Sequence, residues 1–274
     1  MTTLTPGFLH ARRTARILSV ALMVGALLPG CGTPSAPTRQ EPKTASDSTD
    51  ADRRAAVRME LASAYLGRGQ YETALDELKQ AQAIKPDVAG AVSLRSLIYA
   101  AMGDYEAAED GFKKGLATGR PDADLMHNYG WFLCQRQRYA EASRQFEAAL
   151  AVPQYRTPGR TLLAWGVCDA RAGQLPNAQQ HLLKAFEFEP GNPTVAVNLG
   201  EVLYRQGDYE RARFYARRVN NNPEQINASS LWLELRIERR AGNMANMEDL
   251  GKQMRSKYPQ APETQALNNG RFDE

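Results

Sequence analysis

The sequence has few of the side chains that carry catalytic or metal chemistry. It contains three histidines and three cysteines in 274 residues, and it has no glycine-rich phosphate-binding loop. His127 and His181 stand at no metal-ligand or catalytic spacing, and His10 lies in an N-terminal segment of different character. Carboxylates such as Glu106 and Glu109 fit the solvated face of a helix. The sequence therefore predicts a protein that is not an enzyme and that uses no cofactor, no metal and no small-molecule substrate.

The chain also has no large excess of charge of either sign. The chain has 34 basic and 31 acidic side chains, which gives a formal net charge of +3. Three of the arginines, Arg12, Arg13 and Arg16, lie in residues 1–30, which contain no acidic residue. The rest of the chain is therefore neutral overall, and composition offers no argument for a nucleic-acid partner or a polybasic grip on a membrane.

The N-terminal segment has the features of a secretory signal. Its arginines precede an apolar run at residues 17–28, which is too short to span a bilayer comfortably. Residues 28–31, Leu-Pro-Gly-Cys, resemble a bacterial lipobox, in which the cysteine is lipidated and becomes the first mature residue. We expect residues 1–30 to be a lipoprotein signal and Cys31 to carry the lipid. Gly32, where retention at the inner membrane would favour aspartate, indicates the outer membrane by resemblance to the bacterial sorting rule. The alternative is a plain secretory signal that leaves Cys31 as a free thiol.

A polar segment follows the predicted lipidation site. Residues 33–52 are rich in proline, serine, threonine and charged residues, and they contain no apolar side chain larger than alanine. Such a segment cannot bury enough surface to offset the entropy lost on ordering. We predict that residues 31–54 form the lipidated cysteine and a flexible tether.

The remainder of the chain is repetitive. Segments anchored on a tyrosine or an apolar residue recur every 34 to 36 residues, which is the tetratricopeptide repeat (TPR) period. The six anchors are Tyr71, Tyr105, Tyr139, Leu175, Tyr209 and Met244. The corresponding repeats start at Ala55, Ala89, Ala123, Gly159, Pro193 and Ala228.

Each repeat is predicted to be a pair of antiparallel helices. In the third repeat the small residues Gly130 and Ala142 mark where the two helices approach closely, and Phe146 fills the gap beside them. Glycines before the other anchors allow the positive φ that a tight turn needs. We therefore predict an all-α, right-handed solenoid of six TPR helix hairpins over residues 55–261, followed by a loose polar tail at residues 262–274.

A solenoid of this type binds partners in its concave groove. The first helix of each hairpin lines that groove through its second, fifth, ninth and twelfth positions, which also include Trp232 and Arg236 in the sixth repeat. The apolar and aromatic residues at these positions predict a groove for an apolar peptide or an amphipathic segment. The alternative is that Trp131 and its neighbours pack between repeats as core. The candidate groove residues are Leu97, His127, Trp131, Leu163, Val167 and Tyr204.

Two cysteines lie on neighbouring first helices. Cys134 and Cys168 belong to the third and fourth repeats, and first helices run side by side in a solenoid. A disulfide between them is plausible in an oxidising periplasm. Two buried free thiols are the alternative.

The third repeat carries a family resemblance. Residues 127–134, His-Asn-Tyr-Gly-Trp-Phe-Leu-Cys, followed by Tyr-Ala-Glu-Ala at 139–142, resemble the type IV pilus biogenesis/stability lipoproteins, the PilF/PilW pilotin family. The lipobox, the tether, Pro-Thr-Val-Ala at 193–196, Tyr204 and Lys-Tyr-Pro at 257–259 extend the resemblance over nearly all of the mature chain.

This resemblance implies a function and a location. Family members are lipid-anchored in the outer membrane and face the periplasm. They bind the type IV pilus secretin subunit through the first four repeats, and they promote its outer-membrane localisation and multimerisation. Members with two cysteines at corresponding places form a disulfide, which here would join Cys134 and Cys168. Two other functions stay open: a TPR scaffold for another envelope machine, such as outer-membrane protein assembly, and an adaptor for cell-wall enzymes.

Overall fold

The structure is a computed structural model that describes residues 48–272. The predicted signal at 1–30 and the predicted lipidation site at Cys31 lie outside this range. The described residues form thirteen helices and no strand. None of these helices is both long and apolar enough to cross a membrane.

Twelve of the helices form six antiparallel hairpins. The first helices of the hairpins are α1 (Asp50–Gly67), α3 (Ala91–Met102), α5 (Ala123–Gln135), α7 (Pro158–Arg171), α9 (Pro193–Arg205) and α11 (Ala228–Arg240). The second helices are α2 (Tyr71–Ile84), α4 (Tyr105–Leu116), α6 (Tyr139–Leu150), α8 (Leu175–Phe188), α10 (Tyr209–Asn220) and α12 (Met244–Lys257). The six predicted anchors are the first residues of these six second helices. The all-α TPR architecture predicted from the sequence is confirmed.

The first helices form the inner layer of the solenoid. Each contacts the first helix of the next hairpin, from α1 against α3 through to α9 against α11. Among the described helices, no second helix contacts the second helix of the next hairpin. Because neighbouring first helices lie closer together than neighbouring second helices, the stack curves with α1, α3, α5, α7, α9 and α11 on its concave side.

Close approach of the two helices in a hairpin depends on small residues. A Cβ atom added to Gly130 of α5 would lie 2.8 Å from Cε1 of Phe146 in α6. Phe146 and Ala142 are both fully buried there, in a core cluster that also contains Cys134 and Cys168. The third hairpin can close only because position 130 has no side chain.

The first helix begins earlier than predicted. Thr49 caps α1 through a capping box, in which its hydroxyl accepts from the N–H of Asp52 and the Asp52 carboxylate accepts from the N–H of Thr49. These reciprocal bonds satisfy N–H groups that a helix start would otherwise leave without partners. Residues 50–54, which the sequence analysis assigned to the tether, are therefore helical.

The segment after the sixth hairpin is also more ordered than expected. Residues 262–274 were predicted to be a loose polar tail, but Pro262–Asn268 forms a thirteenth helix, α13, which packs against α11 and α12. Thr264 and Leu267 are buried in this contact. Because α13 is a short helix with a single apolar face, its periodic pattern of apolar residues is too weak to be recognised in the sequence.

One hairpin turn has a residue other than glycine at positive φ. Gln137 has φ of 61°, at the place where the other hairpins have Gly69, Gly103, Gly173 or another glycine at positive φ. A side chain in this left-handed region costs the folded state roughly 1–2 kcal/mol. Replacing it by glycine recovers only part of this cost, because glycine also makes the unfolded chain more flexible. We expect Gln137→Gly to raise the free energy of unfolding by about 0.5–1 kcal/mol.

Urea unfolding, monitored by circular dichroism, measures this change in the free energy of unfolding. The matched control is Gly207→Ala in the fifth hairpin, where φ is 83°. It should lower the free energy of unfolding by about 1 kcal/mol. Equal stability of the wild type and Gln137→Gly would show that the turn carries no conformational strain.

Candidate protein-binding groove

A groove of about 460 Å³ opens on the concave side of the first hairpins. Its apolar wall comes from α1, α3 and α5, and consists of Met59, Leu94, Leu97 and Leu125. Leu97, one of the candidate groove residues, is half-buried here and packs against the core of the third repeat. This surface is open because none of the described helices forms a further layer over the inner faces of α1, α3 and α5.

A polar ladder crosses the groove beside the apolar wall. Asn128 of α5 donates to the hydroxyl of Ser93 in α3 at 2.8 Å, and Arg160 of α7 donates to the amide oxygen of Asn128 at 2.9 Å. Arg160 also forms a 3.5 Å ion pair with Asp124. These groups connect three successive repeats and offer polar atoms to the backbone of a bound peptide.

His127 was predicted to line the groove, and the structure places it in the interior instead. Its side chain is 5% exposed, its Nδ1 lies 2.9 Å from Oγ1 of Thr161 in α7, and its ring packs on Phe146. Burial, aided by the nearby positive charge of Arg160, lowers the pKa of His127 to about 4. The side chain is therefore neutral near pH 7 and joins the third and fourth repeats as core.

Trp131, Leu163 and Val167 are half-buried. The guanidinium of Arg171 lies 5.0 Å above the Trp131 ring and covers one face of it. Leu163 packs against the core clusters formed with α8 and α9. The sequence left two alternatives for these side chains, the groove surface and the core between repeats. Both apply in part, because each side chain is partly packed and partly exposed.

Tyr204 lies apart from the apolar groove. The guanidinium of Arg236 stacks over its ring at 4.8 Å, and its hydroxyl accepts a 3.3 Å hydrogen bond from Arg240. It belongs to an arginine–aromatic cluster at the sixth repeat. The six candidate residues therefore do not form one continuous surface.

A disulfide joins the first helices of the third and fourth repeats. Cys134 of α5 and Cys168 of α7 are bonded in the structure, with their Cα atoms 5.8 Å apart. Both cysteines are 1% exposed. The bond fixes the third repeat against the fourth.

The groove has the chemistry of binding. Within residues 48–272, no group of three or more His, Cys, Asp or Glu side chains is arranged to hold a metal ion. Arg138 of the third repeat donates to Glu109 at 2.6 Å, and this hydrogen bond lowers the pKa of Glu109 to about 2. An apolar wall next to a polar ladder suits a peptide that has apolar side chains and an accessible backbone.

Sequence reasoning missed part of the groove. Leu94, Leu125 and Asn128 line it, although none of the three occupies one of the positions expected to face inward. Each of them directly follows an expected inward position, so the groove extends one residue further around each helix than the idealised set of positions. The hydrogen-bonding pattern Ser-Asn-Arg on successive first helices was the available signal.

Comparison with known proteins places the chain among repeat proteins of known fold. Three tetratricopeptide repeat models match residues 59–124, 123–152 and 170–231. Together they cover more than half of the sequence, from within α1 to the end of the third hairpin and from the end of α7 to the start of α11.

Individual relatives are more specific. The chain is 27% identical over 207 residues to the type IV pilus assembly protein PilF of Pseudomonas aeruginosa, a match that covers 76% of this chain and 82% of PilF. The crystal structure of PilW, a type IV pilus biogenesis factor, superposes with a TM-score of 0.68 and 27% identity, covering 78% of this chain and 98% of PilW. A structure of Pseudomonas aeruginosa PilF gives a TM-score of 0.66 and 25% identity, covering 81% of this chain and all of the PilF chain.

Proposed function

Because the chain belongs to the tetratricopeptide repeat proteins and is homologous to PilF, we propose that it acts in type IV pilus assembly. In this proposal it is an outer-membrane lipoprotein that binds the pilus secretin subunit and promotes its outer-membrane localisation and multimerisation. The observation that carries the proposal is the match to 82% of PilF and 98% of PilW.

The groove supports a delivery role. A secretin subunit that has not yet joined its ring exposes apolar surface, and such surface aggregates in water. Met59 and Leu97, the half-buried members of the apolar wall, can cover an apolar segment while the Ser93–Asn128–Arg160 ladder satisfies polar backbone atoms. Binding would be released when neighbouring subunits of the ring bury the same segment.

The proposed anchor explains how the cargo would reach the outer membrane. Lipidation at Cys31 would hold the TPR domain at that membrane through several acyl chains, each buried methylene contributing about 0.8 kcal/mol. Residues 32–47 would then separate the anchor from α1. No nucleic acid or small molecule takes part in this mechanism.

Secretin multimerisation in a strain that lacks this protein tests the proposal. Membranes are fractionated, and heat-resistant secretin multimers are quantified in the outer-membrane fraction. We expect the multimers to disappear or to accumulate at the inner membrane, to return with the wild-type gene, and to return poorly with Cys31→Ala. Normal multimers at the outer membrane in the deletion strain would refute the assembly role and favour a scaffold for another envelope machine.

A groove variant tests where the cargo binds. Leu97→Ala removes part of the apolar wall, and we expect secretin-subunit binding to weaken about ten-fold, as for loss of one buried anchor. Leu116→Ala is the matched control, since Leu116 is half-buried against the same core cluster but does not line the groove. Binding by pull-down or calorimetry should be unchanged in the control. An equal loss in both variants would mean that the effect is on stability and not on the groove.

A further inference from the structure

The first helix of the stack has an apolar side that no described helix covers. Val57 and Leu61 of α1 are 54% and 38% exposed, and Ala64 lies on the same side, one turn further along. Among the described helices, α1 contacts only α2 and α3, and the side chains that it buries fully are Ala55 and Ala62. We call Val57, Leu61 and Ala64 the open stripe.

The positions of the open stripe are buried in later repeats. Counted from the repeat starts, the stripe corresponds to three residues of α5 and three residues of α9. All of these equivalents are 5% exposed or less: Leu125, Tyr129 and Phe132 in α5, and Val195, Leu199 and Val202 in α9. The open stripe therefore has the position of a packed repeat interface.

The second helix of the preceding hairpin covers these positions in the later repeats. Tyr129 of α5 donates to Glu109 of α4 at 3.2 Å and stacks on Phe112 of α4, with ring centroids 5.2 Å apart. Trp165 of α7, at the position of Leu61, donates to Ser143 of α6 at 3.1 Å. Within the described residues no helix precedes α1, so the open stripe lacks the antiparallel helix that this interface is built to receive.

Two other parts of the chain lack the side chains to fill this place. Residues 32–47 contain no valine, leucine, isoleucine, methionine or aromatic residue, so they offer no apolar side chain to pack on the stripe. A head-to-tail stack of two copies would bring α12 to it, but the apolar side of α12 already packs with α11 and α13. The exposed side of α12 is charged instead, with Glu248, Asp249, Lys252 and Arg255.

The α1 helix of a second copy has the required side chains and direction. Two α1 helices related by a two-fold axis run antiparallel, as the missing second helix would. With Val57 facing Leu61 of the second copy, four apolar side chains meet at the centre of the contact. Ala64, which has a small side chain, lets the two backbones approach closely on either side of this centre.

Charge favours the same arrangement. In this register Asp50 faces Arg68 of the second copy at each end of the contact, and Arg54 faces Ala64. A parallel pair would place Arg54 against Arg54 and Arg68 against Arg68, and such like charges repel. The exposed side of α1 is therefore complementary to itself only when the helices are antiparallel.

The existing ion pairs of Asp50 leave it able to make this contact. Asp50 binds Arg53 at 3.3 Å and Arg54 at 2.7 Å within α1, and all three side chains are at least 62% exposed. Ion pairs at such exposed sites contribute little to stability. A carboxylate also has room for several hydrogen bonds, so its oxygens can accept from a further guanidinium.

We propose that the open stripe is a homodimer interface, in which α1 of a second copy replaces the second helix that α1 lacks. An interface of one helix from each copy is small, so the dimer is weak and reversible. Met59, which lines the Leu97 groove, lies on a different side of α1, so the groove and the dimer contact can be occupied together. The inference does not rest on the proposed role in pilus assembly.

Sedimentation velocity of residues 32–274, which contain every described helix, tests the proposal. We expect the wild type to pass from monomer to dimer between about 10 and 500 µM, as for a small interface. Leu61→Glu places charges in the centre of the contact and should raise the dimer dissociation constant at least about ten-fold. Phe214→Glu is the matched control, because Phe214 is 58% exposed on α10 and should leave the dissociation constant unchanged.

A charge swap tests the antiparallel register. Asp50→Arg and Arg68→Asp each place like charges opposite one another, and each should weaken the dimer about five-fold. The double variant Asp50→Arg with Arg68→Asp restores opposite charges at both ends and should bind more tightly than either single variant. Thermal unfolding followed by circular dichroism reports whether each variant stays folded.

Cross-linking in cells extends the test to the full chain. With the photo-reactive residue p-benzoylphenylalanine in place of Leu61, illumination should give a band at twice the mass of the chain, and the same residue in place of Phe214 should not. A cross-linked band of another mass alone would show that a different protein covers the stripe and would overturn the proposal. A wild type that stays monomeric at about 500 µM, equal weakening by Leu61→Glu and Phe214→Glu, or no gain in the charge-swapped variant would also overturn it.

Discussion

Replacing both Cys134 and Cys168 by alanine is expected to lower the free energy of unfolding by about 3.5 kcal/mol. The two residues are 34 positions apart, and a cross-link that closes a loop of this length restricts the unfolded chain by about that amount in the chain-entropy model. The loss should be large because the bond joins α5 to α7, two first helices whose direct contact otherwise rests on a few buried side chains.

Denaturant unfolding of the wild type, the reduced wild type and the double alanine variant separates the contributions. Reduction removes only the cross-link, whereas the alanines also remove two sulfur atoms from a core in which both cysteines are 1% exposed. The reduced wild type should therefore lose most of the stability, and the double variant slightly more. Because the sulfurs are buried, reduction has to be carried out on the unfolded chain.

Thiol labelling of the oxidised, unfolded chain provides the independent check. With the disulfide present, Cys134 and Cys168 take up no label before reduction and two labels after it. Labelling of both thiols without reductant, or equal stability of the reduced and oxidised protein, would contradict the expected stabilisation.

The repeat architecture was predictable because its signals are local. Each hairpin needs a turn residue at positive φ, a small residue where the helices touch, and a large residue to fill the gap, and all three recur in the sequence at fixed offsets from the anchor. Gly130 and Phe146 illustrate the rule, since the missing Cβ of one makes room for the ring of the other. A period of 34 to 36 residues then fixes which helices are neighbours.

The candidate groove was only partly predictable because inward-facing positions depend on how each helix is rotated and on what covers it. His127 sits at a position that faces inward in an ideal repeat, but Thr161 offers it a buried hydrogen bond and Phe146 offers it a ring to pack against. Trp232 faces inward as expected and is nevertheless covered, because a segment without a recognisable repeat pattern folds back onto it. Both outcomes rest on contacts between residues distant in sequence, which periodicity cannot supply.

The free energy of unfolding is expected to fall by about 2 kcal/mol between pH 7 and pH 5 because of His127 alone. Its pKa is about 4 in the folded protein, against 6.5 for the unperturbed side chain. Between these two values the unfolded chain binds a proton that the folded chain does not, so stability is lost as the pH falls through this window. The physical cause is burial of the imidazole, whose charged form would lie in the core beside the positive Arg160.

Urea unfolding at pH 7, 6 and 5 measures this dependence, and His127→Gln is the matched variant because it retains a side chain that can bond Thr161 but does not titrate. The variant should be less stable than the wild type at pH 7 and should lose little further stability at pH 5. Carboxylates such as Glu109, whose pKa in the folded protein is about 2, do not contribute to the change between pH 7 and pH 5. The stability that they add is lost only as the pH falls below about 4.5. If the wild type and His127→Gln lost stability in parallel from pH 7 to pH 5, the imidazole would have to be accessible to protons in the folded state. The third and fourth repeats would then be joined more loosely than the buried contact with Thr161 requires.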